Sequence, residues 1–112
     1  MAKNYPSSIR FCSIADIEAN GQYTKWIDQW SDEITAFMIN EKIVVISTVC
    51  PHFGGEIVRC PKNHDRLRCR WHDWQFDISS GKCLTSNIKG SLQRYEHHID
   101  DDMIVVELNE DN

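Results

Sequence analysis

The sequence predicts an all-β domain, an antiparallel sandwich or barrel-like fold, on three observations. Little of it reads as long helix. From Tyr23 onward the chain alternates and turns at short intervals. The turns themselves are polar: Ser31-Asp32, Asn40-Glu41 and Asp100-Asp101-Asp102. Many short strands joined by such turns are the pattern of a β domain.

The elements follow in order. SIADIEA, residues 13–19, is a short turn of helix: Ser13 stands where a cap belongs, and Asp16 and Glu18 sit in the first turns. Asn20-Gly21 then ends it with turn chemistry. YTKWIDQW (23–30) and EITAFMIN (33–40) read as two strands around Ser31-Asp32, and KIVVIST (42–48) follows across Asn40-Glu41. EIVRC (56–60), RLRC (66–69) and WQFDI (74–78) carry weaker strand signals. RYEHHI (94–99) and MIVVEL (103–108) close the chain around the acidic turn. No repeat, low-complexity tract or linker interrupts the 112 residues, so one domain, 1–112, is expected.

Composition narrows the function classes. Apolar residues at 41% and charged residues at 26% are an ordinary globular balance. The net charge of −5 argues against nucleic acid or an anionic membrane as the main partner. Basic residues gather between Cys50 and Gln75 (Arg59, Lys62, Arg66, Arg68, Arg70), and acids in the tail (Asp100, Asp101, Asp102, Glu107, Glu110, Asp111). Both groups read as solvated surface. The best apolar run, IVVISTV (43–49), is too short for a membrane span, and MAKNYPSS has no apolar region of a signal peptide. The chain therefore reads as cytoplasmic. Its five cysteines are an odd count, and in that compartment cysteine–histidine clusters are more often metal sites than disulfides.

Two segments carry such a cluster: CPHFGG (50–55) and CRWHDW (69–74), each Cys then His. Both fall at hairpin tips, where a rigid sheet can present a site. The candidate metal ligands are Cys50, His52, Cys69 and His72. Zinc is one reading, although the Cys50–His52 spacing is shorter than structural zinc sites favour. A two-iron cluster is the other, each loop giving a thiolate to one iron and an imidazole to the other. Replacing two anionic thiolates by neutral imidazoles makes such a cluster easier to reduce.

CPHFGG with CRWHDWQFDISSG resembles the signature of Rieske-type [2Fe-2S] proteins, above all the soluble ferredoxins of multicomponent oxygenases. IRFCSIADI and RYEHHIDDDMIVVEL resemble the family's opening and closing strands. The resemblance implies an antiparallel Rieske-type β domain with a small cluster-binding subdomain of two hairpin loops. It further implies one [2Fe-2S] cluster per chain, with Cys50 and Cys69 on the inner iron and His52 and His72 on the outer, exposed one. Gly54, Trp71 and Trp74 would lie around the ligands, the two tryptophans shielding the cluster.

The departures from the family pattern point to a low potential. High-potential members tie the loops with a disulfide, and the matching positions here are Gly55 and Trp71. Their serine and tyrosine hydroxyls, which donate to sulfur, correspond to Trp74 and Phe76. Fewer donors stabilise the reduced state less. Asp73 follows His72 where glycine is common, and TSNIKGSL (85–92) lacks the proline of the family's covering loop.

Other chemistry-bearing residues have plainer readings. Cys12, Cys60 and Cys83 read as small buried hydrophobes. His97 and His98, adjacent on a strand, point to opposite faces and chelate no common metal; with His64 they read as surface histidines. Trp26 and Trp30, four apart, read as one strand face covering the core. With no catalytic residue in view, the expected function is a monomeric one-electron carrier. It would pass electrons from a flavin- or NADH-linked reductase to an oxygenase. Alternatives are a subunit or detached domain of a hydroxylase or reductase complex, and a structural zinc module.

Overall fold

The computed structural model describes residues 8–49, 56–60, 65–70, 74–85 and 91–107. Strand β1 (Ser8–Ser13) leads into helix α1 (Ile14–Asn20) through the expected cap. Asp16 N donates to Ser13 Oγ at 3.1 Å while Ser13 N donates to Asp16 Oδ2 at 3.2 Å, so two otherwise orphaned N–H groups satisfy each other's side chains. Gly21, at φ 79°, closes the helix by donating to the Ile17 carbonyl.

Five further strands complete a large sheet: β2 (Gln22–Ile27), β3 (Asp32–Ile39), β4 (Lys42–Ser47), β8 (Arg94–Asp100) and β9 (Met103–Glu107). Among the described residues its order is β1-β9-β8-β4-β3-β2, with every pairing antiparallel. Two of its hairpins turn on two residues, both at positive φ: Asn40 (50°) with Glu41 (69°), and Asp101 (55°) with Asp102 (68°). That geometry follows the right-handed twist of the strands it joins. Asn and Asp tolerate it well; Glu41 is the residue held there against its preference.

A second sheet lies between β4 and β8 in sequence: β5 (Ile57–Arg59), β6 (Arg66–Cys69) and β7 (Gln75–Asp77), antiparallel in the order β5-β6-β7. It packs on one face of the large sheet. Ile57, Leu67, Phe76 and Ile78 from this side meet Phe37, Val44 and Ile46 from β3 and β4. The opposite face of the large sheet carries a separate core that includes Phe11, Ile17, Ile34, Ala36, Val45 and Ile104. Strand β4 is thus covered on both faces, which is why its sequence is a continuous apolar run and not an alternation.

One expected element differs. The stretch 23–30 is not strand throughout: β2 stops at Ile27 and Asp28–Trp30 is a 3-10 turn. Trp26 and Trp30 therefore do not share a strand face. Trp30 stacks on Tyr95, ring centroids 5.5 Å apart and 13° between planes, while Trp26 is 53% exposed. Spacing of four was the wrong ruler because the period changes inside the stretch.

The buried Tyr95 hydroxyl donates to Asp32 Oδ2 at 2.7 Å, and Ser47 Oγ donates to Asp32 Oδ1 at 2.7 Å. Burial, and then Asp32, hold the Tyr95 phenol well above the ordinary tyrosine range. The raised value means the folded state keeps this proton more tightly than the unfolded one. Stability from it is complete below about pH 10 and is lost as pH rises further. Tyr95→Phe should cost about 1.5–3 kcal/mol at neutral pH, since a carboxylate loses a donor. It should also flatten the alkaline fall in urea-melt stability; an unchanged alkaline slope would refute the assignment.

Candidate metal centre

The small sheet sorts its side chains by alternation. In β6, Leu67 and Cys69 point into the apolar layer and are 0% exposed, while Arg66 and Arg68 alternate with them. Ile57 pairs with Cys69, Val58 with Arg68 and Arg59 with Leu67, so Arg59 belongs to the inward row. Its guanidinium lies 5.7 Å over the Phe37 ring, and Nη2 donates to the Met38 carbonyl at 3.3 Å. Burial lowers its pKa. Arg59 is therefore a clamp between the two sheets, not the solvated surface charge expected from its cationic neighbourhood.

The ends of the two motif segments are held side by side. Val49 and Glu56 form an antiparallel bridge that brackets residues 50–55. Cys69 N donates to the Trp74 carbonyl at 2.8 Å, which brackets residues 71–73. The brackets meet: Arg70 N donates to the Glu56 carbonyl at 3.0 Å, and Arg70 Nη1 stands 3.7 Å from Glu56 Oε1. Both side chains of that ion pair are more than half exposed, so the backbone bond carries the junction.

Beneath the junction, Thr48 ties it to the large sheet. Thr48 N donates to the Glu33 carbonyl at 2.8 Å, and the Thr48 carbonyl accepts from Ile57 N at 3.1 Å. Its hydroxyl bonds Glu33 Oε1 at 3.0 Å and Thr35 Oγ1 at 3.1 Å, and Thr35 Oγ1 continues to Thr24 Oγ1 at 2.8 Å. Thr35 and Thr48 are each 1% exposed, so this hydroxyl chain satisfies polar groups that would otherwise be buried at a cost.

Residues 7–96 match the family described as Rieske [2Fe-2S] domain. This chain belongs to the Rieske [2Fe-2S] family. Among curated relatives, Apoptosis-inducing factor 3 of Mus musculus is 26% identical and that of Homo sapiens 27% identical, each over 95 residues. Those matches cover 85% of this chain but 15% of the relatives, so the Rieske domain here spans about 15% of their length. Its fold is shared by solved structures, two of which follow. The ferredoxin of carbazole 1,9a-dioxygenase from Nocardioides aromaticivorans IC177 has a TM-score of 0.73 at 17% identity, covering 93% of this chain and 100% of that one. The plasma membrane Rieske protein PetC3 from Synechocystis PCC 6803 has a TM-score of 0.73 at 20% identity, covering 88% and 98%. The Rieske domain implies a [2Fe-2S] cluster. Bound to such a domain, a [2Fe-2S] cluster takes up and gives back one electron.

The described part of the Rieske domain fits that group. Cys69 presents a soft sulfur donor, the kind a [2Fe-2S] cluster takes, at the loop end of β6 within the apolar layer of Ile57, Leu67 and Phe76. Cys50, His52, Gly54, Trp71 and His72 lie outside the described residues, as do Gly55, Asp73, His64 and most of 85–92. Among the described residues no three His, Cys, Asp or Glu side chains gather as a metal site. Trp74 is half-buried and packs against the layer that holds Cys69, and Phe76 is 0% exposed within it.

The remaining candidates sort themselves by environment. Cys12 and Cys60 are buried, as expected, and Cys83 is half-buried. Burial, then Asp16, push the Cys12 thiol up to about 11, so it is inert at neutral pH. His98 is exposed and lies 2.7 Å from Glu107, while the neighbouring His97 is half-buried with its pKa lowered by burial. His97 is thus not the surface residue expected, although the pair does diverge across the strand. No helix among the described residues is long and apolar enough to cross a membrane.

Sequence reasoning places Arg59 on the surface and does not single out Thr48 or Gly81. Only Gly81 left a usable signal: the Ser-Ser-Gly run after a strand.

Proposed function

We propose that this chain is a low-potential Rieske ferredoxin that carries single electrons from a reductase to an oxygenase. In this reading Cys50 and Cys69 hold the inner iron, His52 and His72 the outer one, and Gly54, Trp71 and Trp74 surround them. One observation carries it: the two Cys–His segments start and end at a single junction, Glu56 against Arg70, directly above the buried Cys69. The fold shared along the full length of the carbazole dioxygenase ferredoxin supports an oxygenase as the acceptor. Burial of Cys12 and Cys60 as free thiols suits a reducing compartment, the cytoplasm.

The potential belongs to the lower part of the Rieske range, nearer ~−150 mV than ~+300 mV. Trp74 and Phe76 bring no hydroxyl to the inner sulfur atoms, and Phe76 is locked in the core where none could replace it. His72→Cys replaces a neutral donor by an anionic one, so the midpoint should move down toward the ~−400 mV typical of all-cysteine ligation. Protein-film voltammetry reads this directly, and an unchanged or higher midpoint would remove His72 from the ligand set.

The deciding experiment is electron paramagnetic resonance after dithionite reduction, with iron and sulfide measured on the same sample. A rhombic signal of low average g with two irons per chain is the expected result. An iron-free, zinc-containing protein prepared without oxygen would overturn the carrier reading. A second reading rests on a separate observation: the match to a small part of Apoptosis-inducing factor 3. A Rieske domain of this kind thus also occurs as a small part of a larger protein, and a stable co-purifying reductase or hydroxylase subunit would favour that arrangement here.

A further inference from the structure

The side chains of β2 divide between the two faces of the large sheet. Tyr23, Lys25 and Ile27 share the face of Ile34 and Ala36. Gln22, Thr24 and Trp26 share the other face, in register with Phe37, Thr35 and Glu33. This second face is the one the small sheet covers, through Phe37, Val44 and Ile46. Trp26 lies on β2, an edge strand of the large sheet among the described residues, and is 53% exposed.

Its position along the strand matters as much as its exposure. Trp26 pairs with Glu33, and Glu33 holds Thr48, two residues before Cys50. With neighbouring strands about 4.8 Å apart, the Trp26 backbone runs about 10 Å from that of Thr48. An exposed aromatic face thus stands beside the root of the first Cys–His segment.

The indole is already held. Its Nε1 donates to Asp28 Oδ1 at 3.0 Å, so a partner that seats on the ring immobilises little further freedom. Tryptophan in such a setting is the residue type that dominates protein contacts when buried by a partner. The surrounding charge selects the partner. Asp28 is bonded to the indole, Glu33 is its cross-strand neighbour on the same face, Lys25 belongs to the opposite face, and the whole chain carries −5. A ring bonded to one carboxylate and paired across the strand with a second acidic residue suits a guanidinium or ammonium group, by cation–π attraction and charge together.

We propose that Trp26, with Asp28 and Glu33, is a docking anchor for a redox partner whose contact face is basic, one arginine or lysine side chain seating on the indole. This rests on the electron-carrier reading above. The test uses the dithionite-reduced protein and a ferric cytochrome c as the probe, a haem protein with a lysine-rich face. One electron leaves the reduced domain and reduces one ferric haem, followed by stopped-flow absorbance. Ferricyanide, a small anion that needs no anchor, is the parallel oxidant.

Trp26→Ala should lower the second-order rate with cytochrome c about tenfold at low salt, and Trp26→Phe should recover part of the loss. Asp28→Asn should flatten the fall of the rate with ionic strength. Ile99→Ala, another exposed apolar side chain, at the end of β8 beside the acidic turn, should change nothing. Ferricyanide rates and thermal melts should stay at wild-type values throughout. Equal cytochrome c rates for wild type and Trp26→Ala, with the paramagnetic signal intact, overturn the anchor alone. A wild-type protein with no reducible centre overturns the carrier reading instead, and shows itself before any cytochrome is added.

Discussion

Gly81→Ala should destabilise the folded chain by about 2–5 kcal/mol, enough to lower the melting temperature by more than about 10 °C. Two effects add. Gly81 sits at φ 78°, where an L side chain is strained by about 1–2 kcal/mol. A Cβ there would also collide with the Leu92 carbonyl oxygen, lie 3.3 Å from the Leu92 carbonyl carbon and 3.4 Å from Ile46 Cδ1. The obstacle is mainly backbone, so it cannot turn aside as a long side chain would, and overpacking of this kind costs about 1–3 kcal/mol. The position is pinned from both sides. Gly81 N donates to the Asp77 carbonyl at 2.7 Å, and Leu92 N donates to the Gly81 carbonyl at 2.7 Å. Ser80 N and Oγ close the same turn on Asp77 Oδ2 at 3.0 and 2.9 Å. The turn thus fastens the end of the small sheet to the segment that enters β8. A differential-scanning melt of Gly81→Ala within about 2 °C of wild type would mean that the turn yields more easily than its contacts allow.

Cys69→Ala should remove the metal centre while leaving the fold. As the proposed inner-iron donor, Cys69 supplies one of two thiolates, and alanine offers no lone pair in its place. The substitution is small, because a buried sulfur is exchanged for a methyl group within an apolar layer of Ile57, Leu67 and Phe76. Its direct stability cost is therefore about 1 kcal/mol, far less than the cost of losing a large side chain. Iron content and the low-g paramagnetic signal should both vanish, with circular dichroism still reporting a β protein. Cys60→Ala is the matched control: Cys60 is also buried, and its N–H bonds the Arg66 carbonyl at 2.9 Å without any part in the motif. That variant should keep its full iron. A Cys69→Ala protein that also kept two irons would strike Cys69 from the ligand set.

Much of the fold was legible because its signals are local. Ser13 and Asp16 announce the capped start of α1, and Gly21 its end, since caps are satisfied within a few residues. The hairpin turns at Asn40-Glu41 and Asp101-Asp102 were visible from residue type. Other features were not. Spacing alone puts Trp26 and Trp30 on one face, but the 3-10 turn begins between them, and no residue in DQW forbids a strand. Arg59 reads with the surface cations because the stretch from Cys50 to Gln75 is rich in basic residues, while its partners, Phe37 and Met38, lie on another sheet.

By itself the sequence determined the all-β class and the family, and it supplied the donor set proposed above. Alternation, turn residues and a pair of ordered Cys–His segments act over short separations, and each keeps its meaning wherever the chain goes. The tertiary structure alone decided what those segments stand on. Glu56 meets Arg70, Thr48 reaches Glu33 and Thr35, and Gly81 backs onto Leu92 only after two sheets have packed face to face. Which arginine clamps the sheets and which tryptophan stays in water follow from the same packing. The reason is physical: a side chain's environment is set by what crosses over it, and that is a property of strand order and register between distant residues.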